Sequence, residues 1–487
     1  MTTVDFIYKY NADGTYTKKN RQVDSGAISL TFVLATQKMT RGSGSFVTDG
    51  FTVGSILTTD ATLNPGPFTI TNVAALEITV ASGIVNEGPV TKTATGTIIF
   101  TGDEDDQFCS CVSFDSTGDE LFLLANQLEY IQKWDGGSGN FSNLGGWDTA
   151  LVKARQIIPF QSRLIAGWTV ENAIICARRV RWSVAGDIED VTGTGSGFAE
   201  LVETPDLIVC LKLLKNKLFV IKEKSIWELV YIGGTDVFRP AIRIEKVGGS
   251  APLGIVSRGE ELIIYGNDNV YLYDGLNLVP IGEQVYPYLY ETGNRLVNTT
   301  RVNRVPSMYR REQRTFMMCC PTEGEVPSLI FEYYFKHGAW VLRDKEITAF
   351  GEATVAGGAT WLDLVGTWEA QTWTWMIQAL PAGAPKMLIG DSDGNVWEDD
   401  RLTKSTDYMV WETKDWMFAH AERVVEFRVQ AKGGPFNCYY SLDQGETWSS
   451  AKEFAVSTGW TSYAEDCDIK WIEPWYIPRA RSKSLVT

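Results

Sequence analysis

Residues 217–229 read Lys217-Leu218-Phe219-Val220-Ile221-Lys222-Glu223-Lys224-Ser225-Ile226-Trp227-Glu228-Leu229, two apolar runs of strand length split by a short polar turn. β-branched and aromatic side chains fit a pleated surface, and the charged residues cluster where the chain must reverse, so the stretch predicts a hairpin. The same pattern recurs at Leu121-Phe122-Leu123-Leu124-Ala125 before Leu128-Glu129-Tyr130-Ile131, and at Glu261-Leu262-Ile263-Ile264-Tyr265 before Asn269-Val270-Tyr271-Leu272-Tyr273. It returns at Lys386-Met387-Leu388-Ile389 before Asn395-Val396-Trp397. Apolar residues spaced three and four apart almost nowhere persist beyond two turns, so the chain reads as all-β.

Strands starting near Leu121, Leu164, Leu218, Leu262, Leu329 and Leu388 are separated by 43, 54, 44, 67 and 59 residues. Propeller blades repeat at roughly 40–50 residues, and inserted loops lengthen some of them. The spacing predicts an irregular β-propeller of about six blades, with a pair of β-sandwiches joined by long hairpins as the alternative. A four-stranded sheet cannot bury both faces alone. Stacking sheets around an axis buries the aromatic faces and leaves short, protected edges.

Composition divides the remainder of the 487 residues. Residues 1–40 form a lead-in arm, with a turn at Asn11-Ala12-Asp13-Gly14 and a strand over 26–34. Residues 41–100 are almost devoid of Lys and Arg and rich in Thr, Gly and Val. With strand-like runs at 68–73 and 76–80, they predict a small β-barrel or sandwich. The acidic run Asp103-Glu104-Asp105-Asp106 reads as a solvated boundary and not a metal site. The propeller is then expected over 101–420 and a C-terminal β-domain over 421–487.

Sixty acidic against forty-four basic residues give a formal charge of -16, which argues against a protein that grips phosphates by counterion release. Eight cysteines, Cys109, Cys111, Cys176, Cys210, Cys319, Cys320, Cys438 and Cys467, lie mostly in apolar runs and are expected as reduced core thiols. Cys109-Ser110-Cys111 and Cys319-Cys320 lack finger-like spacing to histidines, so no zinc site is expected. The N-terminal residues show no basic region followed by an apolar one, and no stretch approaches the roughly 18 apolar residues of a spanning helix, so folding in the cytoplasm without membrane anchoring is expected.

Ser441-Leu442-Asp443-Gln444-Gly445-Glu446-Thr447-Trp448 matches the Asp-box pattern of sialidases and other propellers. The box is a turn: Asp and Ser bond local backbone, Gly permits positive φ, and Trp packs beneath. A sialidase also needs converging arginines with a tyrosine nucleophile and its acid. Arg178, Arg179, Arg181, Arg310, Arg311 and Arg314 are the loose candidates, read here as surface or interface ion pairs. Gly390-Asp391-Ser392-Asp393-Gly394-Asn395 starts like a calcium loop but lacks the bidentate Glu, so it reads as a Gly-Asp turn. His337 and His420 have no partner in a recognisable nucleophile motif, and no phosphate-cradling loop is present.

From about 179 to 286 the residues resemble a family. They run Arg181-Trp182-Ser183, Gly186-Asp187, Glu203-Thr204-Pro205-Asp206, then Leu218 to Trp227 as quoted above. Tyr231-Ile232-Gly233-Gly234, Gly248, Gly266-Asn267-Asp268-Asn269-Val270-Tyr271-Leu272-Tyr273-Asp274-Gly275 and Ile281-Gly282-Glu283 continue the series. The series resembles the propeller of tail nozzle, or tail hub, proteins of short-tailed bacteriophages. Tyr439-Tyr440-Ser441-Leu442-Asp443 with Trp448 resembles that family's closing β-domain, and residues 42–100 resemble a β-module recurrent in phage structural proteins. The end, Arg479-Ala480-Arg481-Ser482-Lys483, departs from it without an evident last strand.

The resemblance implies a virion protein assembled in the host bacterial cytoplasm, a homohexameric ring below portal and adaptor proteins and above tip, needle or fibre proteins. Its ring extends the DNA ejection channel without binding DNA specifically. It implies no catalytic residue, cofactor or metal. The alternative is a glycan-binding or sialidase-like propeller at a tail tip, or another tail or baseplate component.

Overall fold

The computed structural model describes residues 7–10, 16–234, 236–354, 385–398, 408–412, 422–433, 436–441, 452–454, 457–472 and 479–485. The chain divides into two compact units, Met1–Glu398 and Asp399–Thr487. The division therefore falls earlier than the boundary expected at 420.

In the first unit, six strands close into a barrel in the order Gln22–Val33, Lys38–Arg41, Glu77–Val80, Phe68–Val73, Ile56–Thr59 and Glu87–Thr97. Its interior holds Leu30, Phe32, Met39, Leu57, Ile70, Ile78 and Val80, all buried. Closure removes the unpaired strand edges that an open sheet would expose. The barrel begins at Gln22, whereas the sequence suggested a module starting at 41. Gln22, Asp24, Ser25 and Gly26 surround a single large apolar residue, Val23, so the first half of the strand carries only a weak apolar signature.

Six antiparallel sheets follow, each of strands consecutive in sequence. Blade 1 comprises Cys109–Phe114, Glu120–Ala125, Gln132–Trp134 and Ser142–Asn143; blade 2 Val152–Phe160, Arg163–Glu171, Ile174–Trp182 and Gly197–Glu200. Blade 3 comprises Ile208–Leu214, Lys217–Lys222, Ser225–Tyr231 and Phe238–Glu245; blade 4 Ile255–Ser257, Leu262–Tyr265, Val270–Tyr273 and Leu278–Pro280. Blade 5 comprises Ser307–Arg310, Thr315–Pro321, Pro327–Tyr334 and Ala339–Asp344, and blade 6 Ala349–Thr354, Pro385–Gly390 and Val396–Glu398. The chain is thus an all-β, six-bladed propeller preceded by a closed barrel.

Burial on both faces of a strand is the signature of stacked sheets, and Lys217–Lys222 shows it, with every residue after Lys217 buried. The apolar cores run from blade to blade. Leu123 and Ala125 of blade 1 meet Ala154 and Leu164 of blade 2, and Ile165 and Val180 of blade 2 meet Leu218 and Trp227 of blade 3. Phe219 and Ile221 meet Leu262 and Ile264 of blade 4, whose Ile263 and Tyr265 meet Phe316 and Met318 of blade 5. Met317 and Cys319 then meet Ile389 of blade 6. Each fully buried side chain of this size contributes about 1.5–3 kcal/mol.

Two strand assignments differ from expectation. The partner of Glu120–Ala125 is Gln132–Trp134 and not residues 128–131, with Phe122 opposite Trp134. Leu329 lies in the third strand of blade 5; the second is Thr315–Pro321, whose Met317, Cys319 and Cys320 lack β-branches.

In the second unit Arg479–Leu485 pairs with both Tyr408–Glu412 and Phe436–Ser441, and Lys452–Phe454 extends that sheet. Glu422–Gly433 pairs with Ser457–Ile472. The chain end does supply a strand, contrary to expectation. Its basic sequence hides the strand because it carries no apolar alternation.

Candidate functional site

Polar residues between 201 and 283 gather at the entry to blade 3 and around the turns of blades 3 and 4. Lys222, fully buried, lies 3.2 Å from the Asp206 carboxylate and donates to the Leu201 and Thr204 carbonyls and the Thr204 hydroxyl at 3.0, 2.9 and 2.7 Å. Asp206 also accepts from the Lys224 backbone N–H and the Ser225 hydroxyl, both at 2.9 Å, and Trp227 Nε1 donates to Ser225 Oγ at 3.0 Å. Burial works against both charges. It holds the Lys222 pKa below its usual value, while donors from Thr204, Lys224, Ser225 and Lys222 outweigh burial at Asp206 and keep that carboxyl below its usual range. The Thr-Pro-Asp segment is thereby tied to blade 3.

Blades 3 and 4 are sewn similarly. Gly249 N–H donates to the Lys222 carbonyl at 2.9 Å, and a Cβ on Gly248 would lie 2.1 Å from that oxygen, which is why only glycine fits. Asn267 Nδ2 donates to the Glu223 carbonyl at 2.5 Å and Ser250 Oγ to Asn267 Oδ1 at 2.8 Å. Asn269 Oδ1 accepts from Val270 and Gly282 N–H at 2.8 and 3.0 Å, and its Nδ2 donates to Glu283 at 2.8 Å.

A second cluster sits on the linker into blade 1. Asp105 accepts from Arg304 Nε at 2.6 Å, Asn303 Nδ2 at 2.8 Å and Arg301 Nη1 at 3.0 Å, while Arg304 Nη1 reaches Glu104 at 2.5 Å. Glu325 pairs with Arg301 at 2.7 Å and Arg304 at 3.5 Å. Gln127 Nε2 donates to Asp106 at 2.5 Å. The Arg304 hydrogen bond foremost holds the Asp105 pKa below the usual carboxylate range. Arg155, on the first strand of blade 2, lies within electrostatic reach of Asp105, Asp106 and Glu223. Glu104 and Asp105 of the acidic run are therefore ion-paired, while Asp103 stays exposed as the boundary reading expects. Partners some 200 residues away leave no local trace.

The arginines read from the sequence as surface or interface ion pairs lie in blade 2 and at blade 5. Arg179 binds Glu171 and Glu200 at 2.8 and 2.6 Å, and Arg181 binds Glu171 at 3.1 Å, all within blade 2. Arg178 lies on the same strand, Arg310 is buried in blade 5, and Arg311 and Arg314 are exposed on the turn that follows. His337 is exposed on the turn after Tyr334. His420 and residues 442–448 of the Asp-box pattern lie outside the described residues. Asp391 accepts from Asn395 N–H at 2.8 Å and Trp397 Nε1 at 2.7 Å, the geometry of the expected turn.

The six described cysteines are free thiols; Cys210, Cys319 and Cys320 are buried, and Cys109, Cys111 and Cys176 half-buried. Burial pushes Cys109 up to about 11 and Cys319 up to about 12, and the phenols of Tyr271 and Tyr273 up to about 12. Such groups are protonated at neutral pH and are weak nucleophiles. Among the described residues no group of three or more His, Cys, Asp or Glu side chains could hold a metal ion, and no helix is long and apolar enough to cross a membrane.

No family model matches the chain, and no curated protein matches it in sequence. Among solved structures it is loosely similar to dihydro-heme d1 dehydrogenase NirN in complex with DHE. That similarity has 8% identity and a TM-score of 0.33 over 97% of this chain and 81% of that one, a level that bears on neither activity nor ligand.

Proposed function

We propose that this chain is a structural, non-enzymatic virion protein, a subunit of a tail nozzle or hub ring of a short-tailed phage. The observation that carries the proposal is the employment of the family-like residues. Asp206, Lys222, Gly248 and Asn267 tie blade 3 to the segments before and after it, and Trp227, Asn269 and Gly282 brace blades 3 and 4 internally, so the likeness lies in how the propeller is braced. Side chains used for bracing fit a protein whose task is to keep its shape under load.

In this proposal six copies form a ring between portal and adaptor proteins above and tip, needle or fibre proteins below. Exposed blade edges are covered by the next copy. At -16 per chain, the ring repels duplex DNA and lets it slide through the channel without specific binding. The arginine pairs within blade 2 count against a sialidase-like pocket, because Arg179 and Arg181 are already neutralised by Glu171.

Sedimentation velocity of the purified chain, run beside a fluorogenic sialoside assay, tests the proposal. Concentration-dependent assembly towards a hexamer without turnover is expected. A monomer that cleaves the sialoside would overturn it.

A further inference from the structure

We infer that Lys19 latches the barrel to blade 1, its ammonium seated in a socket of backbone carbonyls on the turn between the third and fourth strands of that blade. The turn reads Asp135-Gly136-Gly137-Ser138-Gly139-Asn140. Three glycines leave its backbone free to curl, Gly136 has a φ of 78°, and Asp135 accepts from the Gly137 N–H at 2.9 Å. The carbonyls of Gly137, Ser138 and Gly139 consequently converge on one point, where Lys19 Nζ donates to them at 3.4, 2.9 and 2.9 Å. An ammonium has three N–H donors, so this one is saturated. Trp134 closes the side of the socket: its Nε1 donates to the Gly139 carbonyl at 2.9 Å, and its ring lies 5.2 Å from Lys19 Nζ. Lys19 is 5% exposed, and a charge so buried is costly without such partners.

The latch lies where the barrel joins the rest of the chain. Lys19 stands just before the first barrel strand, Gln22–Val33; its backbone N–H donates to the Ile7 carbonyl at 2.8 Å, and its carbonyl accepts from the Phe141 N–H at 2.9 Å, beside the socket. The next residue, Asn20, is buried, with Nδ2 donating to the Ile98 carbonyl at 2.8 Å and Oδ1 accepting from the Ile7 N–H at 2.9 Å. Ile98 follows the last barrel strand, Glu87–Thr97, and its N–H donates to the Arg21 carbonyl at 2.9 Å. The strands by which the chain enters and leaves the barrel are thus tied to each other at 20 and 98 and pinned to blade 1 at 19. Ile7, Phe100, Leu124 and Phe141 add an apolar cluster at the same place. Apolar burial is non-directional, whereas the socket accepts one ammonium at one position. The latch therefore holds the barrel in a fixed seat on the propeller, whether or not copies assemble into a ring.

Amide hydrogen exchange of the full chain, read by mass spectrometry, tests the inference. In Lys19→Met, which keeps an apolar stem and removes the charge, peptides covering 96–102 and 134–143 are expected to exchange roughly tenfold faster, with 68–80 in the barrel and 217–229 in blade 3 unchanged. Ethylammonium added to Lys19→Ala should restore part of the protection, whereas tetramethylammonium, which has no N–H, should not. A measurement on the unaltered chain stays decisive if neither variant folds: amine acylation, mapped by peptide, should mark the exposed Lys215 of blade 3 well before the buried Lys19. Unchanged exchange of both peptides in Lys19→Met, equal acceleration in all blades, equal rescue by the two amines, or Lys19 labelling as fast as Lys215 overturns it.

Discussion

At single residues the account rests on buried polar groups with defined partners. Removing the charge of Lys222 while Asp206 stays buried leaves a carboxylate without its counter-ion, so Lys222→Met should cost about 3–5 kcal/mol, seen as a lowered urea midpoint. Gly248→Ala forces a methyl against the Lys222 carbonyl and should cost about 1–3 kcal/mol in the same titration. Asp105 makes the pH prediction. Its folded pKa lies below the ordinary value of 3.8, so its contribution is present above that value and is lost as pH falls through the folded pKa. Facing it are Arg301, Arg304 and Asn303 of the connector between blades 4 and 5, Glu325 of blade 5, Glu104 of its own linker and Arg155 of blade 2. Exchange protection of residues 99–114 should therefore hold from neutral pH down to about pH 4 and fall below it. Asp105→Asn should flatten that dependence; an unchanged acid profile in the variant would count against the assignment.

At the level of elements, burial on both strand faces decides reactivity as well as packing. Native-state alkylation at mildly alkaline pH should label Cys176 well before Cys210, Cys319 and Cys320, which react only on unfolding; peptide mapping distinguishes them. The hairpins over 217–231 and 262–273 were legible because Phe219, Ile221, Ile226, Trp227, Ile264 and Tyr271 mark both faces with large apolar side chains. Other elements were not. Thr315–Pro321 carries two methionines and two cysteines, the half-polar Gln22–Val33 takes its place through pairing on both sides, and Arg479–Leu485 shows no alternation. Their positions come from partners distant in the chain, which local propensity does not encode.

At the scale of the molecule, blade repetition was visible in the spacing of apolar strands, whereas the ion cluster joining Glu104 and Asp105 to Arg301 and Arg304 was not. Glu104, Asp105 and Arg301/Arg304 look like ordinary surface charges until the fold brings them together. The roles of Asp206, Asn269 and Gly282 were equally hidden, because each acts through a neighbour across a turn or a blade boundary. The central claim is that these braced propellers serve as building blocks of a ring. Electron microscopy of the purified chain tests it most directly: the account predicts sixfold annular particles with an open lumen. Particles that remain single propellers at every concentration would contradict it.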